Sequence, residues 1–455
     1  LTAGVDQNLS GTGVFTFLDL SKTGGNALML NDIVVIGSLT GTATGHFVGN
    51  GGILKLSSTS VSFAGDADNV ELYGGGDINL YQNLNVLNNL TITAVNNLNG
   101  GSGGLKIKVG GNVLNNDTGG YGNHYAWQAV VLSLNGVGTQ TVSGAGYMTY
   151  FDVSKPSGTT LLGAFTGSFG PITVAGAANA AGIDLEGTTK TASSITMSGG
   201  KLIGSGAWNS PITCNSGSSI APGASPGCLT INGNLALNSG ATFAVDVNGN
   251  TPCTGFDQLT VNGTVTINNA TFTGTGATPA TGAITLIAND LTDAIAGSRF
   301  ASLPQNATVN IGGFNYKVSY TGGTGNDMIL TGNTPPTAVC QNLTVNANSA
   351  CQATVSASAF NNGSSDPEGD GITYSVSPAA PYAGGTTTVT LSVTDSNNAT
   401  STCTATVTVV DITPPTITCP ATAVANTDAG LCTASGVSLG APTTADNCGV
   451  QGTTN

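Results

Sequence analysis

Ile212-Thr213-Cys214-Asn215-Ser216-Gly217-Ser218-Ser219-Ile220 returns as Leu235-Ala236-Leu237-Asn238-Ser239-Gly240-Ala241-Thr242-Phe243. Nearby, Leu229-Thr230-Ile231-Asn232-Gly233 returns as Leu259-Thr260-Val261-Asn262-Gly263. Apolar residues alternate with Thr, Ala or Asn, the two-residue period of a strand with one buried face. A coil of roughly 20 to 30 residues that recurs with variable loops is the signature of a parallel β-solenoid, in which each coil buries its apolar row on the next. The same alternation runs outward to residues 1 and 333, as in Leu54-Lys55-Leu56, Ile78-Asn79-Leu80 and Leu105-Lys106-Ile107-Lys108-Val109. No 3.6-residue period competes with it, although a helical turn would fit Leu291-Thr292-Asp293-Ala294-Ile295-Ala296-Gly297.

A second repeat begins beyond residue 333. Pro335-Pro336-Thr337-Ala338-Val339-Cys340 recurs as Pro414-Pro415-Thr416-Ile417-Thr418-Cys419, at a spacing that fits a tandem β-sandwich. The first copy closes with strand-like Thr388-Val389-Thr390-Leu391-Ser392-Val393-Thr394-Asp395 and Val407-Thr408-Val409-Val410-Asp411, whereas the second stops at Asn455 before any such strands. The expected fold class is therefore all-β: a right-handed parallel β-solenoid over 1–333, an Ig-like module over 334–412, and the start of another over 413–455. The visible chain is expected to be a piece of a longer array.

Composition agrees with this reading and excludes others. Gly supplies 67 of 455 residues, only 7% are charged and 5% aromatic, and no run of 18 apolar residues exists to span a membrane as a helix. Nine Lys and Arg stand against 23 Asp and Glu, and the basic residues are scattered singly, so nucleic acid is not an expected partner. The nine cysteines all lie from Cys214 onward with no C-x-x-C pair, which points to disulfides in an oxidising compartment. Cys228 and Cys253 both enter a Leu-Thr-Ile/Val-Asn-Gly strand on successive coils and are expected to pair, with Cys214 to Cys228 as the competitor. Cys340 with Cys403, and Cys432 with Cys448, are expected within the two modules, leaving Cys351 without a partner unless it takes Cys340. Cys419 is expected to await a partner beyond Asn455.

Some stretches carry a family likeness. Asn135-Gly136-Val137-Gly138-Thr139-Gln140-Thr141-Val142-Ser143-Gly144 followed by Phe151-Asp152-Val153-Ser154-Lys155-Pro156 resembles the repetitive β-solenoid regions of large surface proteins from Bacteroidetes-type bacteria. Ile220-Ala221-Pro222-Gly223, Phe256-Asp257-Gln258-Leu259 and the stretch 316–327 resemble autotransporter-passenger-like repeats. Thr418-Cys419-Pro420, Gly430-Leu431-Cys432 and Asp446-Asn447-Cys448 resemble HYR (hyalin repeat) Ig-like modules. The resemblance implies a secreted cell-surface adhesin or filament protein, exported by the type IX route.

Two clusters are candidates for chemistry. Tyr121, His124 and Trp127 lie in the densest aromatic and polar stretch, 115–127, which reads either as a loop covering the stack or as a sugar-binding or catalytic site. Asp366, Glu368 and Asp370, with Asp395 at a later strand end, supply the hard oxygen ligands of a calcium site, or else a solvated turn, since Asp-Pro and Gly-Asp-Gly are turn signals themselves. Isolated acids such as Asp246 and Asp257 read as exposed turn residues. One arginine, Arg299, and two histidines, His46 and His124, are few groups for polysaccharide cleavage, and no catalytic motif is present. The expected function is thus structural or adhesive at the cell surface, without catalysis. Its expected partners are glycans, other surface proteins or further copies of itself, and the alternative is a glycan-binding or polysaccharide-cleaving β-helix.

Overall fold

The computed structural model describes the chain except residues 2–3, 12, 43, 45, 50, 101–103, 118–129, 177–180, 224–225, 291, 451 and 453–455. It is all-β, with about 51% strand and about 1% helix, and divides into two compact units, Leu1–Gly332 and Asn333–Asn455.

The first unit is a β-solenoid of about ten turns. Strands of successive coils pair in parallel, so that Ile195, Ile212, Leu235 and Val265 form one column and Leu229, Leu259 and Ile287 another. Coil length varies along the stack, from a spacing of 17 between the paired Ile195 and Ile212 to one of 30 between the bonded Asn238 and Asn268. Strands such as Leu84–Val86 and Leu235–Leu237 bury every second residue, because stacking supplies apolar neighbours on the inner face. The result is one continuous core from Leu18 to Leu330, with Trp208, Tyr316 and Tyr320 as its largest side chains.

Where coils turn, the backbones approach too closely for a side chain. Gly25 and Gly158 have φ of +69° and +82°, and a Cβ at either would run into the backbone of the preceding coil, at Val5 and Gly138 respectively.

Parallel stacking does not continue to residue 333. Gly282–Asn289 pairs in parallel with Gln258–Val261 on one edge and antiparallel with Asp327–Gly332 on the other. Asp327–Gly332 then pairs antiparallel with Phe314–Gly322, which pairs with Thr308–Ile311. This meander covers a coil edge that would otherwise present unpaired backbone groups. Where a helical turn would have fitted, at 291–297, the described residues show none, and Ala296–Arg299 extends as a strand beside Val265–Asn268.

The second unit is built on a four-stranded sheet. Thr400–Val410 lies between Leu343–Asn346, which runs parallel to it, and Gly385–Asp395, which is antiparallel and pairs in turn with Ile372–Ser377. Gln352–Ala353 and Tyr382–Ala383 form a separate two-stranded pair. Phe360, Tyr382, Val389, Leu391, Val393, Val407 and Val409 make its core. Beyond Val409 no described residue is buried, and Thr416–Thr418 pairs antiparallel with Thr443–Ala445.

Candidate functional site

The acidic loop of the second unit is tied together by amides. Asp366 Oδ1 accepts from the Glu368 and Asp370 backbone amides at 2.9 and 3.0 Å, while its other oxygen is buried without a hydrogen-bond partner. Asp395, 4% exposed at the end of its strand, accepts from the Asn397 and Ala399 amides at 2.8 and 2.9 Å and from Asn333 Nδ2 at 2.8 Å. Asn397 Nδ2 donates to Asp370 Oδ2 at 2.7 Å and to Asn333 Oδ1 at 3.2 Å. The structure therefore links Asp370 and Asp395 through asparagines, whereas Glu368 accepts from the Thr334 amide. Among the described residues no three His, Cys, Asp or Glu side chains gather as a metal-holding group. Backbone amides hold Asp366 Oδ1 and one oxygen of Asp395 in turns, and asparagine side chains hold Asp370 and the other oxygen of Asp395.

Tyr121, His124 and Trp127 lie outside the described residues. His46 pairs with Asp68 at 3.1 Å on the solenoid surface. Arg299 donates to the Ile295 carbonyl and stacks over Tyr320, 4.9 Å from the ring centre.

The solenoid's outward charges meet across coils. Lys55 bridges Asp32 at 2.8 Å and Glu71 at 3.2 Å, contacts that raise its pKa and, from Lys55, lower that of Asp32. Asp152 is buried, which alone would raise its pKa. The Lys106 ammonium at 2.8 Å and the Ser154 and Ser133 hydroxyls more than offset this and hold it below the usual carboxylate range. Two asparagine ladders also cross the coils. Asn209, Asn232 and Asn262 are joined at 2.6 Å per step, and Asn215, Asn238 and Asn268 at 2.9 and 3.0 Å.

Sequence reasoning missed a duplicated clasp. Gln7, Asp19, Ser21, Lys22 and Thr40 recur at one constant offset as Gln140, Asp152, Ser154, Lys155 and Thr173. In both copies the lysine is buried, at 1% and 0% exposure, and donates to the glutamine Oε1, at 3.2 and 2.5 Å. In both copies the aspartate accepts from the serine two residues on (2.7 Å each) and from a threonine on the next coil (2.9 and 3.1 Å). Gln140 Nε2 donates to the Val109 and Gly111 carbonyls, so Lys155 completes a chain of bonds across coils. Burial without a counter-charge pushes the Lys155 pKa down to about 8. Lys190 is a third buried lysine, donating to the Phe165 carbonyl. The constant offset of the five residues was the available signal, obscured because lysine is ordinarily read as exposed.

Asp257 also departs from expectation. It is 2% exposed rather than an exposed turn residue, and it receives the Gly227 amide at 2.6 Å and the Asp246 amide at 2.8 Å. Burial raises its pKa to about 6.

Three disulfides are present. Cys228–Cys253 and Cys340–Cys403 have Cα separations of 4.8 and 6.0 Å. The third joins Cys448 to Cys351 at 4.7 Å and not to Cys432, because the turn around Asn447 seats on the Asn348 loop of the first copy, where Asn447 Nδ2 donates to the Asn348 carbonyl at 3.0 Å. Cys419 and Cys432 are exposed and unbonded, and Cys214 is a buried thiol whose pKa burial raises to about 12.

Among the described residues no helix is long and apolar enough to cross a membrane. No protein-family profile and no curated protein matches the chain.

Proposed function

We propose that this chain is an extracellular structural or adhesive segment, a stalk or filament part whose second unit consists of Ig-like modules of the HYR kind. The carrying observation is that polar groups are spent on one another across coils, in the exposed Asn209–Asn232–Asn262 ladder and in the bridge from Lys106 to the buried Asp152. Such contacts tie neighbouring coils and commit side chains that a reaction centre would need free. Three disulfides support an oxidising, extracellular setting. Surface glycans, other surface proteins and further copies are the partners this role implies.

The second reading, polysaccharide cleavage, draws on Lys55 standing between Asp32 and Glu71 on an outward face. The test is incubation of the purified chain with acidic and neutral polysaccharides, with and without Ca²⁺. The structural reading expects no new chain ends. Turnover abolished by Lys55→Ala or Asp32→Asn would replace it with the enzymatic one.

A further inference from the structure

The turn that carries Cys351 recurs around Cys432. In the first, the Asn348 amide donates to the Gln352 carbonyl at 2.8 Å and the Cys351 amide to the Asn348 carbonyl at 3.0 Å. In the second, the Asp428 amide donates to the Thr433 carbonyl at 2.9 Å and the Leu431 amide to the Asp428 carbonyl at 2.9 Å. Each turn thus closes onto the residue after its cysteine, with one residue more in the second.

The facing strands match as well. Thr337 pairs with Ser365 as Thr416 pairs with Ala445. Asp366 then accepts from the Glu368 amide at 2.9 Å, as Asp446 accepts from the Cys448 amide at 2.8 Å. Cys432 therefore stands where the first copy has Cys351, and Cys448 stands where it has Glu368. The first copy follows the solenoid rather than another module, and it has no cysteine at that position.

The first turn is occupied and the second is not. Cys448 is bonded to Cys351, Asn447 holds the Asn348 carbonyl, and a Cβ at Gly384 would lie 2.8 Å from the Cys351 sulfur, so the seat is closely packed. Cys432, in the matching turn, presents an exposed thiol. We propose that the 428–432 turn is the docking point for the Asp-Asn-Cys turn (446–448) of a second copy of this chain. The link forms by thiol–disulfide exchange. The Cys432 thiolate attacks the Cys448 sulfur of the second copy, the Cys432–Cys448 bond forms, the Cys351–Cys448 bond breaks, and the departing Cys351 thiolate takes up a proton. No outside oxidant is consumed. This inference goes beyond the structural reading above, which its failure would leave intact.

The test mixes isotopically heavy and light copies of the full chain under non-denaturing conditions and maps disulfide-linked peptides by mass. Cys419, the other exposed thiol, serves as the internal control. Heavy–light Cys432–Cys448 peptides are expected to exceed Cys419–Cys448 peptides by about tenfold, a preference that about 1.4 kcal/mol of docking would produce. Asn447→Ala in one population should cut the yield from that population's turn about fivefold, the effect of one lost hydrogen bond. Equal use of Cys419, Cys432–Cys448 peptides formed only within one chain, or no heavy–light peptides at all would each overturn the proposal.

Discussion

From Leu18 to Leu330 the first unit keeps one uninterrupted apolar core, whereas the second unit's core runs only from Ala353 to Val409. The solenoid carries a single, local disulfide, Cys228–Cys253, while the smaller unit carries two. The difference follows from how each buries surface. A coil gains neighbours above and below, so stability accumulates with every repeat and is shared among nearest neighbours. A small sandwich-sized sheet has no such supply and gains from cross-links that restrict its unfolded chain.

The sharpest way to break this comparison is to remove a cross-link from the second unit. Replacing Cys340 and Cys403 together by Ala opens a 63-residue loop and should cost about 4 kcal/mol there, by the chain-entropy relation. Chemical unfolding should show this in the second unit's transition while the solenoid transition stays in place.

A core truncation in the solenoid should be smaller and local. Leu237→Ala, at a fully buried position stacked between Cys214 and Ile267, is expected to cost about 3 kcal/mol. Hydrogen exchange should place the loss on coils 212–268 and leave those before residue 100 unchanged. Uniform loss along the stack would mean that the coils unfold as one body rather than as neighbours.

The asparagine ladders set the next scale. Asn232→Ala removes the bonds to Asn209 and Asn262 and should cost about 1–2 kcal/mol, read as a lowered melting temperature of the solenoid alone.

A pH dependence confined to the solenoid probes the same stack from another side. Lys155 has its pKa lowered to about 8 in the fold against an ordinary 10.5, so between those values the unfolded chain binds more protons and stability rises with pH. Below about pH 8 the buried amine is protonated in both states and that contribution is gone. The stability of wild type minus that of Lys155→Met should rise from pH 8 towards 10, with exposed thiols blocked; a fall over that range would reverse the assignment.

Much of the architecture was legible in the sequence. The alternation in Leu84–Val86 or Leu235–Leu237 reports a strand with one buried face, and the return of 212–220 as 235–243 reports coil stacking. Strand direction was not legible, because the same alternation serves the parallel coils and the antiparallel meander of Phe314–Gly322 and Asp327–Gly332. Asp257 reads as a turn residue locally; its burial comes from the Gly227 and Asp246 amides, which no local window reveals. The partner of Cys448 was misread for a related reason. Cys432 lies much nearer in sequence and offers the smaller loop-closure cost, yet docking of the Asn447 turn on Asn348 sets the long-range pairing with Cys351. The acidic loop from Asp366 to Asp370 was legible as a turn, while the two backbone amides on Asp366 Oδ1 and the asparagine on Asp370 were visible only in three dimensions.

The most direct test of the contrast between a self-supporting stack and a cross-linked module is hydrogen exchange on the full chain, oxidised and after mild reduction. Reduction should leave protection across the strands before residue 228 within about tenfold of the oxidised protein, and should erase most protection in Gly385–Asp395 and Thr400–Val410. Collapse of protection along the solenoid, or an unchanged second unit, would contradict the account.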